Sequence, residues 1–160
     1  MLSVGEPAPD FASADCHGRP VRLSDFAGRR LVLFFFPKAF SVGCTEEVRH
    51  FRDNQTRIRE LGAELIGISV DSFEKQCAFA KQENIEFPLL GDSDRRLSSL
   101  FGVLWPVVRV DRRVTFILSP TGVVEDVIQH ERRVHRHLDD VLASLERKAA
   151  SGGTPTAKPE

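Results

Sequence analysis

Leu31-Val32-Leu33-Phe34-Phe35-Phe36-Pro37-Lys38-Ala39-Phe40-Ser41-Val42-Gly43-Cys44-Thr45-Glu46-Glu47 is the stretch on which the fold turns. Six consecutive apolar residues, Leu31 to Phe36, read as a strand buried on both faces. Pro37 ends it, because proline has no N–H to give and pushes the residue before it towards extended geometry. A short loop follows. From about Cys44 to Leu61 the apolar residues Val48, Phe51, Ile58 and Leu61 recur at helical spacing, and Gly62 is a stop signal. Open α/β sheets place their sites outside the carboxyl ends of the strands, so Cys44, in the first turn of this helix, stands where a site is expected.

Outward from this unit the periods alternate. Leu65 to Val70 is a second buried strand and Phe73 to about Gln82 a helix; Phe87 to Leu90 is a short strand and Asp94 to Phe101 a short helix. Arg113 to Leu118 is a strand, turned at Ser119-Pro120-Thr121-Gly122 into a hairpin partner, Val123 to Ile128. Val134, Leu138, Val141, Leu142 and Leu145 mark a closing amphipathic helix. Before the first strand, residues 11 to 23 form a hairpin around His17-Gly18-Arg19-Pro20. Strands joined by helices pair in parallel, and the late hairpin adds an antiparallel pair. The expectation is an α/β fold with a mixed central sheet and helices on both faces, of which a thioredoxin-like arrangement is one. One domain over residues 1–148 is expected, with 149–160, small, polar and Pro/Gly-containing, as a flexible C-terminal tail.

The formal net charge of -1 favours neither a nucleic acid nor an anionic membrane. No apolar run approaches the roughly 20 residues that span a bilayer. Met1 to Pro7 has neither a basic nor an apolar signal region, so a cytoplasmic location is expected. Three widely spaced cysteines, Cys16, Cys44 and Cys77, make no disulfide framework and contain no Cys-x-x-Cys pair, which points to a reducing compartment and at least one free thiol.

The thiolate is the nucleophilic form of cysteine, and a helix N-terminus stabilises it. The unpaired N–H groups there can also hold a peroxide oxygen. Ser41 can cap the helix or bond to the thiolate and the incoming substrate; Gly43, after Val42, lets substrate approach the backbone; Pro37 shields one side from water. Lowering a thiol by about two pKa units takes about 2.7 kcal/mol, whereas an exposed helix end supplies roughly 0.3–1 kcal/mol. A cation is therefore needed. Arg112 and Arg113 open the strand at 113–118, and adjacent residues of a strand point to opposite faces, so only one of them can serve.

Pro37-x-x-x-Ser41-x-x-Cys44 resembles the active-site motif of the peroxiredoxin family (AhpC/TSA type), Pro-x-x-x-Thr/Ser-x-x-Cys. Phe34-Phe35-Phe36-Pro37-Lys38 and Cys44-Thr45-Glu46-Glu47 resemble it too, as do Gly5-x-x-Ala8-Pro9-x-Phe11, Leu23-Ser24-Asp25-Phe26 and Pro120-x-Gly122. Arg113-Val114-Thr115-Phe116 is similar to the family's Arg-x-Thr-Phe, which selects Arg113 over Arg112. The likeness covers about residues 3 to 147 and is greatest to the bacterioferritin-comigratory, or Q, subgroup. It implies a thioredoxin-like fold and reduction of hydrogen peroxide and organic hydroperoxides, with no metal or organic cofactor. Cys44 would attack the peroxide and become a sulfenic acid, Arg113 and Ser41 would polarise the O–O bond, and Glu47 would orient the arginine. Gly43 and Val42 would border the substrate. A thioredoxin-like or low-molecular-weight thiol would be the reductant of a monomer or homodimer.

Many Q-type members carry a resolving cysteine five residues after the first; here that position is Arg49. Others carry it on the next helix, where this chain has Ala80, one turn beyond Cys77. Cys77 is thus a candidate displaced resolver, the alternatives being a core residue and a one-cysteine enzyme. Cys16 is read as incidental. His130, His135 and His137 are read as solvated surface rather than metal ligands, and His50 has no evident partner. Phe40, Trp105 and Pro106 could form an apolar rim, a dimer contact or ordinary packing. Two other functions fit the same fold. A disulfide reductase would need cysteine rather than serine at position 41. A redox-inactive binding module would have no use for Ser41, Cys44, Glu47 and Arg113 together.

Overall fold

The computed structural model describes residues 1–151. Its elements are β1 (Ala12–Ala14), β2 (Pro20–Arg22), a 3-10 turn (Leu23–Phe26), β3 (Arg30–Phe35), α1 (Val42–Asp53), α2 (Gln55–Glu60), β4 (Ala63–Ser69), α3 (Phe73–Gln82), β5 (Leu89–Gly91), α4 (Arg96–Phe101), β6 (Val114–Leu118), β7 (Val124–Gln129) and α5 (Val134–Ala150). β1 and β2 form a separate hairpin, and the main sheet runs β5-β4-β3-β6-β7. The pairs β3–β4 and β4–β5 are parallel; β3–β6 and β6–β7 are antiparallel.

β3 lies at the centre, and every residue from Arg30 to Phe35 is buried. The continuous apolar run is explained by its two faces, which serve different cores. Val32, Phe34 and Phe36 point into a cluster with Val48 and Phe51 of α1, Ile58 of α2, Phe79 of α3 and Leu138, Val141 and Leu145 of α5. Leu31, Leu33 and Phe35 point the other way, against Phe11, Val21 of β2, and Leu97 and Phe101 of α4. Helices thus cover both faces, as the alternating pattern implies. No helix among the described residues is long and apolar enough to cross a membrane.

Two element boundaries differ from the sequence reading. The single helix expected from Cys44 to Leu61 is two, parted at Asn54, whose φ and ψ are -110° and 10°. The Asn54 amide donates to the His50 carbonyl at 2.9 Å, giving that backbone group a partner outside the regular ladder. Residues 149 and 150, expected to open a flexible tail, belong to α5, which continues through Ala150; the rest of that expectation, residues 152–160, lies outside the described residues.

Gly67 of β4 shows how tightly the first core closes. A Cβ there would meet Leu89 Cδ2 at 2.5 Å and Phe34 Cζ at 2.6 Å, and the Phe34 ring is itself stacked on Phe51 with centroids 4.2 Å apart. Overpacking of a filled core costs about 1–3 kcal/mol. Gly67→Ala is therefore expected to lower the unfolding free energy by about that amount, read as an earlier urea midpoint; an unchanged midpoint would show that the Phe34 ring moves freely.

Candidate active site

β3 ends inside the sheet, so the chain after Phe36 must emerge at the carboxyl edge before α1 can begin. Two features fix that crossing. Asp71, just past β4, accepts hydrogen bonds from the Ala39 amide at 2.7 Å and the Ser69 hydroxyl at 2.6 Å. Phe40 takes a left-handed backbone with φ 68°, which for a bulky residue costs roughly 1–3 kcal/mol. Its ring leans on Phe79 of α3 with centroids 5.1 Å apart, which helps to hold that conformation.

The crossing delivers Cys44 to the first turn of α1 as the free cysteine, 1% exposed. Ser41 is the N-cap residue by position, yet its hydroxyl does not cap the helix; it donates to the Lys38 carbonyl at 2.8 Å. The same hydroxyl lies against the Cys44 sulfur, and its single hydrogen can rotate from carbonyl to sulfur. Burial pushes the Cys44 thiol up; the Ser41 hydroxyl, the Arg113 charge and a backbone hydrogen bond from Lys38 pull it down, and Glu47 adds a small upward push. The balance is upward, contrary to the depressed thiol that the helix end and arginine alone suggest. The reason is that a sulfur with almost no exposure loses its water, which disfavours the charged form.

Arg113 comes from the start of β6. Its Nη1 donates to Glu47 Oε1, on the turn of α1 after Cys44, and its Nε donates to the Glu131 carbonyl at 3.2 Å. Its Nη2 lies 3.4 Å from where a Cβ on Gly43 would be, so the bare backbone at Gly43 admits the guanidinium. Arg112 points away, with its guanidinium 3.9 Å over the Trp105 ring. That contact gives Trp105 a packing role and leaves the neighbouring Pro106 on the surface. Val42, 83% exposed, and Phe40, 40% exposed, flank Ser41 on the outside. Pro37 sits between the end of β3 and this loop.

Several participants were not legible in the sequence. Glu131 holds the arginine through its carbonyl and also accepts from the Arg113 amide at 3.2 Å. His137, expected on the surface, is fully buried; its Nε2 pairs with Thr115 Oγ1 at 2.5 Å and lies 3.9 Å from Glu47 Oε2. Residue 137 falls on the inner stripe of α5, one position before Leu138, so the helical period contained the signal. His50 also has a neighbour, with the His135 ring 4.3 Å away, and His135 reaches Glu46 at 3.2 Å. Cys16 is not incidental. It is joined to Cys77 in a disulfide, Cα to Cα 5.4 Å, because the β1–β2 turn packs over α3. Cys77 therefore faces Cys16 in this structure while Cys44 stands alone.

A model of the AhpC/TSA family matches residues 4–127. The chain belongs to the peroxiredoxin family. It is a thiol-dependent peroxidase of the bacterioferritin-comigratory or Q type. It is 36% identical to the chloroplastic peroxiredoxin Q of Sedum lineare, over 91% of this chain and 78% of that one. It is 34% identical to peroxiredoxin Bcp of Escherichia coli K12, over 92% and 98%. Among solved structures, peroxidoxin BcpB of Mycobacterium tuberculosis superposes with a TM-score of 0.85 at 35% identity, covering 92% of this chain and 98% of that one. The bacterioferritin comigratory protein of Xanthomonas campestris, a structure concerned with alkyl peroxide reduction, gives 0.84 at 30% identity, covering 92% and 99%.

The buried pair Glu47 and His137 titrates in opposite senses. Burial raises Glu47 to about 7, against the pull of Arg113. Burial, then the charges of His130 and Arg113, lower His137 to about 3. As pH falls below about 6.5, the unfolded chain protonates the histidine and the folded one does not, so His137 removes stability towards acid. Between about 4.5 and 7 the folded chain keeps the Glu47 proton that the unfolded one loses, so Glu47 removes stability as pH rises. The two slopes, each about 1.4 kcal/mol per pH unit, oppose one another. Glu47→Gln, which can still accept from Arg113, is expected to leave the His137 slope unopposed. The variant should lose about 1.4 kcal/mol more than the parent for each unit of acidification from pH 6.5 to 5, measured by urea unfolding. Parallel pH profiles would show that the two groups do not titrate in this way.

Proposed function

We propose that Cys44 is the peroxidatic nucleophile, and that its thiolate attacks the terminal oxygen of hydrogen peroxide or an organic hydroperoxide. The O–O bond breaks, the leaving oxygen takes a proton as water or alcohol, and the sulfur becomes a sulfenic acid. One observation carries this reading: the single free thiol lies where a hydroxyl, an arginine and a backbone N–H all favour its anion. Arg113 and Ser41 then meet the negative charge that develops on the peroxide oxygens. Glu47 and the Glu131 carbonyl fix the guanidinium, so it does not reorganise during attack. The exposed backbone at Gly43 and the side chain of Val42 border the entering substrate, and Pro37 limits water. Phe40 and Val42 give the mouth an apolar rim suited to the carbon chain of an organic hydroperoxide, in keeping with the alkyl peroxide activity named for the Xanthomonas protein.

The sulfenic acid returns to thiol at the expense of a thioredoxin-like or low-molecular-weight thiol, and Cys77 is the candidate resolving residue within the chain. A cytoplasmic monomer or homodimer accords with the dependence on reduced thiols.

The reduced protein is expected to consume peroxide in the presence of a dithiol, and Cys44→Ser to abolish it; unchanged consumption by that variant would falsify the assignment. Arg113→Gln is expected to slow the first turnover by roughly 10²–10³, the usual effect of removing one donor to a developing oxyanion, and to raise the Cys44 thiol pKa, followed by thiolate absorbance. A thiol pKa that does not move would take Arg113 out of this role.

A further inference from the structure

The oxidised site and the observed disulfide lie at different depths. Cys44 is almost fully buried, so a protein reductant has no direct path to its sulfur. Cys16 and Cys77 are each half-buried at the surface, in the β1–β2 turn and midway along α3. The two places are nevertheless neighbours through the core. Phe79 and Ala80 of α3 share one apolar cluster with Cys44, and Cys16 packs against that cluster. Phe79 also touches Phe36 and Phe40, the residues on either side of the loop that leads to Cys44, with ring centroids 6.2 and 5.1 Å away. The first turn of α1 is loosely secured: its N-cap side chain makes no capping bond, and the preceding Phe40 is in a left-handed conformation.

We propose that Cys16 is the terminal thiol of a three-cysteine relay that carries oxidation from buried Cys44 to the surface through Cys77. The proposal rests on Cys44 being the peroxidatic residue. In the first step the Cys77 thiolate attacks the sulfur of the Cys44 sulfenic acid; a Cys44–Cys77 disulfide forms, and the sulfenic oxygen leaves with a proton as water. In the second step the Cys16 thiolate attacks the Cys77 sulfur, the Cys16–Cys77 disulfide forms, and Cys44 leaves as thiolate. No further oxidant is consumed, since the peroxide has supplied both oxidising equivalents. The second step ends in the pairing the structure shows: Cys16 and Cys77 are joined, and Cys44 is the free cysteine beside Ser41 and Arg113. The joined pair has a Cα separation of 5.4 Å, within the ordinary range for a disulfide. An external dithiol then reduces an accessible disulfide, while Cys44 is already back in its pocket as a free cysteine.

The test is to reduce the full-length protein completely, remove the reductant anaerobically, add one equivalent of peroxide and map the linkages by mass spectrometry with an alkylating quench. The expected product is Cys16–Cys77 with Cys44 free. Cys16→Ser should stop at Cys44–Cys77, and Cys77→Ser at a Cys44 sulfenic acid that a dimedone probe captures. A purely structural staple would instead leave the wild-type protein with oxidised Cys44 and both other thiols reduced, or would form Cys16–Cys77 equally fast in Cys44→Ser; either result overturns the relay. Should a serine variant fail to fold, the time course of wild-type linkages decides alone, because the relay requires Cys44–Cys77 to rise and decay before Cys16–Cys77 accumulates. Consumption of the first equivalent without transfer to Cys16 refutes the relay and leaves the peroxidase reading standing. Failure to consume it refutes that reading, and the relay with it.

Discussion

The ion pair between Arg113 and Glu47 ties α1 to the residue just before β6. Arg113 immediately precedes β6, Glu47 lies three residues after Cys44 in α1, and the Glu131 carbonyl after β7 holds the guanidinium from a third side. Both side chains are nearly free of solvent. A buried pair of this kind stabilises little in net terms, because two ions must shed water; but removal of either partner strands the other, which is strongly unfavourable. The consequence is geometric. α1 can lie on the sheet only in the register that brings Glu47 to the arginine, and that register puts Cys44 beside the same cation. The polar chain continues inward from Glu47 towards His137 and Thr115, with burial the largest influence on the protonation of Glu47 and His137.

Around that pair the structure sets two demands against each other. The Cys44 sulfur is kept from water, which strengthens its interaction with Arg113 and Ser41, yet burial itself disfavours the thiolate. The site answers with several modest pulls rather than one large one: a hydroxyl with a movable hydrogen, a fixed guanidinium and a backbone donor. The loop that presents these groups is held by Asp71 and carries a strained Phe40, so it is built to be placed accurately and not to be maximally stable. The same depth separates the Cys44 sulfur from the half-buried Cys16–Cys77 disulfide nearer the surface.

Much of this was present in local sequence. An uninterrupted apolar run can be only a strand with two buried faces or a buried helix segment, and Pro37 immediately after it together with the later period of Val48, Phe51 and Ile58 settled which. Strand, proline, loop and helix in that order put Cys44 at the carboxyl edge of a sheet, and the spacing of Pro37, Ser41 and Cys44 identified the family. These are short-range consequences of proline's missing N–H, of side-chain periodicity and of helix-end electrostatics, and they need no knowledge of distant residues.

What the tertiary structure decided is every relation between distant parts of the chain. Charge and position do not separate Arg112 from Arg113, since both are cations at one strand end, and only the likeness to the Arg-x-Thr-Phe motif selected Arg113; the sheet register supplies the physical reason, sending one to Glu47 and the other to Trp105. His137 looks like a surface residue in a charged segment, and becomes a buried partner of Thr115 once α5 is laid on the sheet. Cys16 and Cys77 are 61 residues apart and share no motif, but packing of the β1–β2 turn on α3 brings them within bonding distance. The chain by itself marked Cys44 as the candidate nucleophile and gave its immediate setting, because those are fixed by neighbours in sequence. The contacts of Arg113, the buried acid–base partners and the pairing of the other two thiols were decided by packing, because contact between remote residues is a property of the folded core.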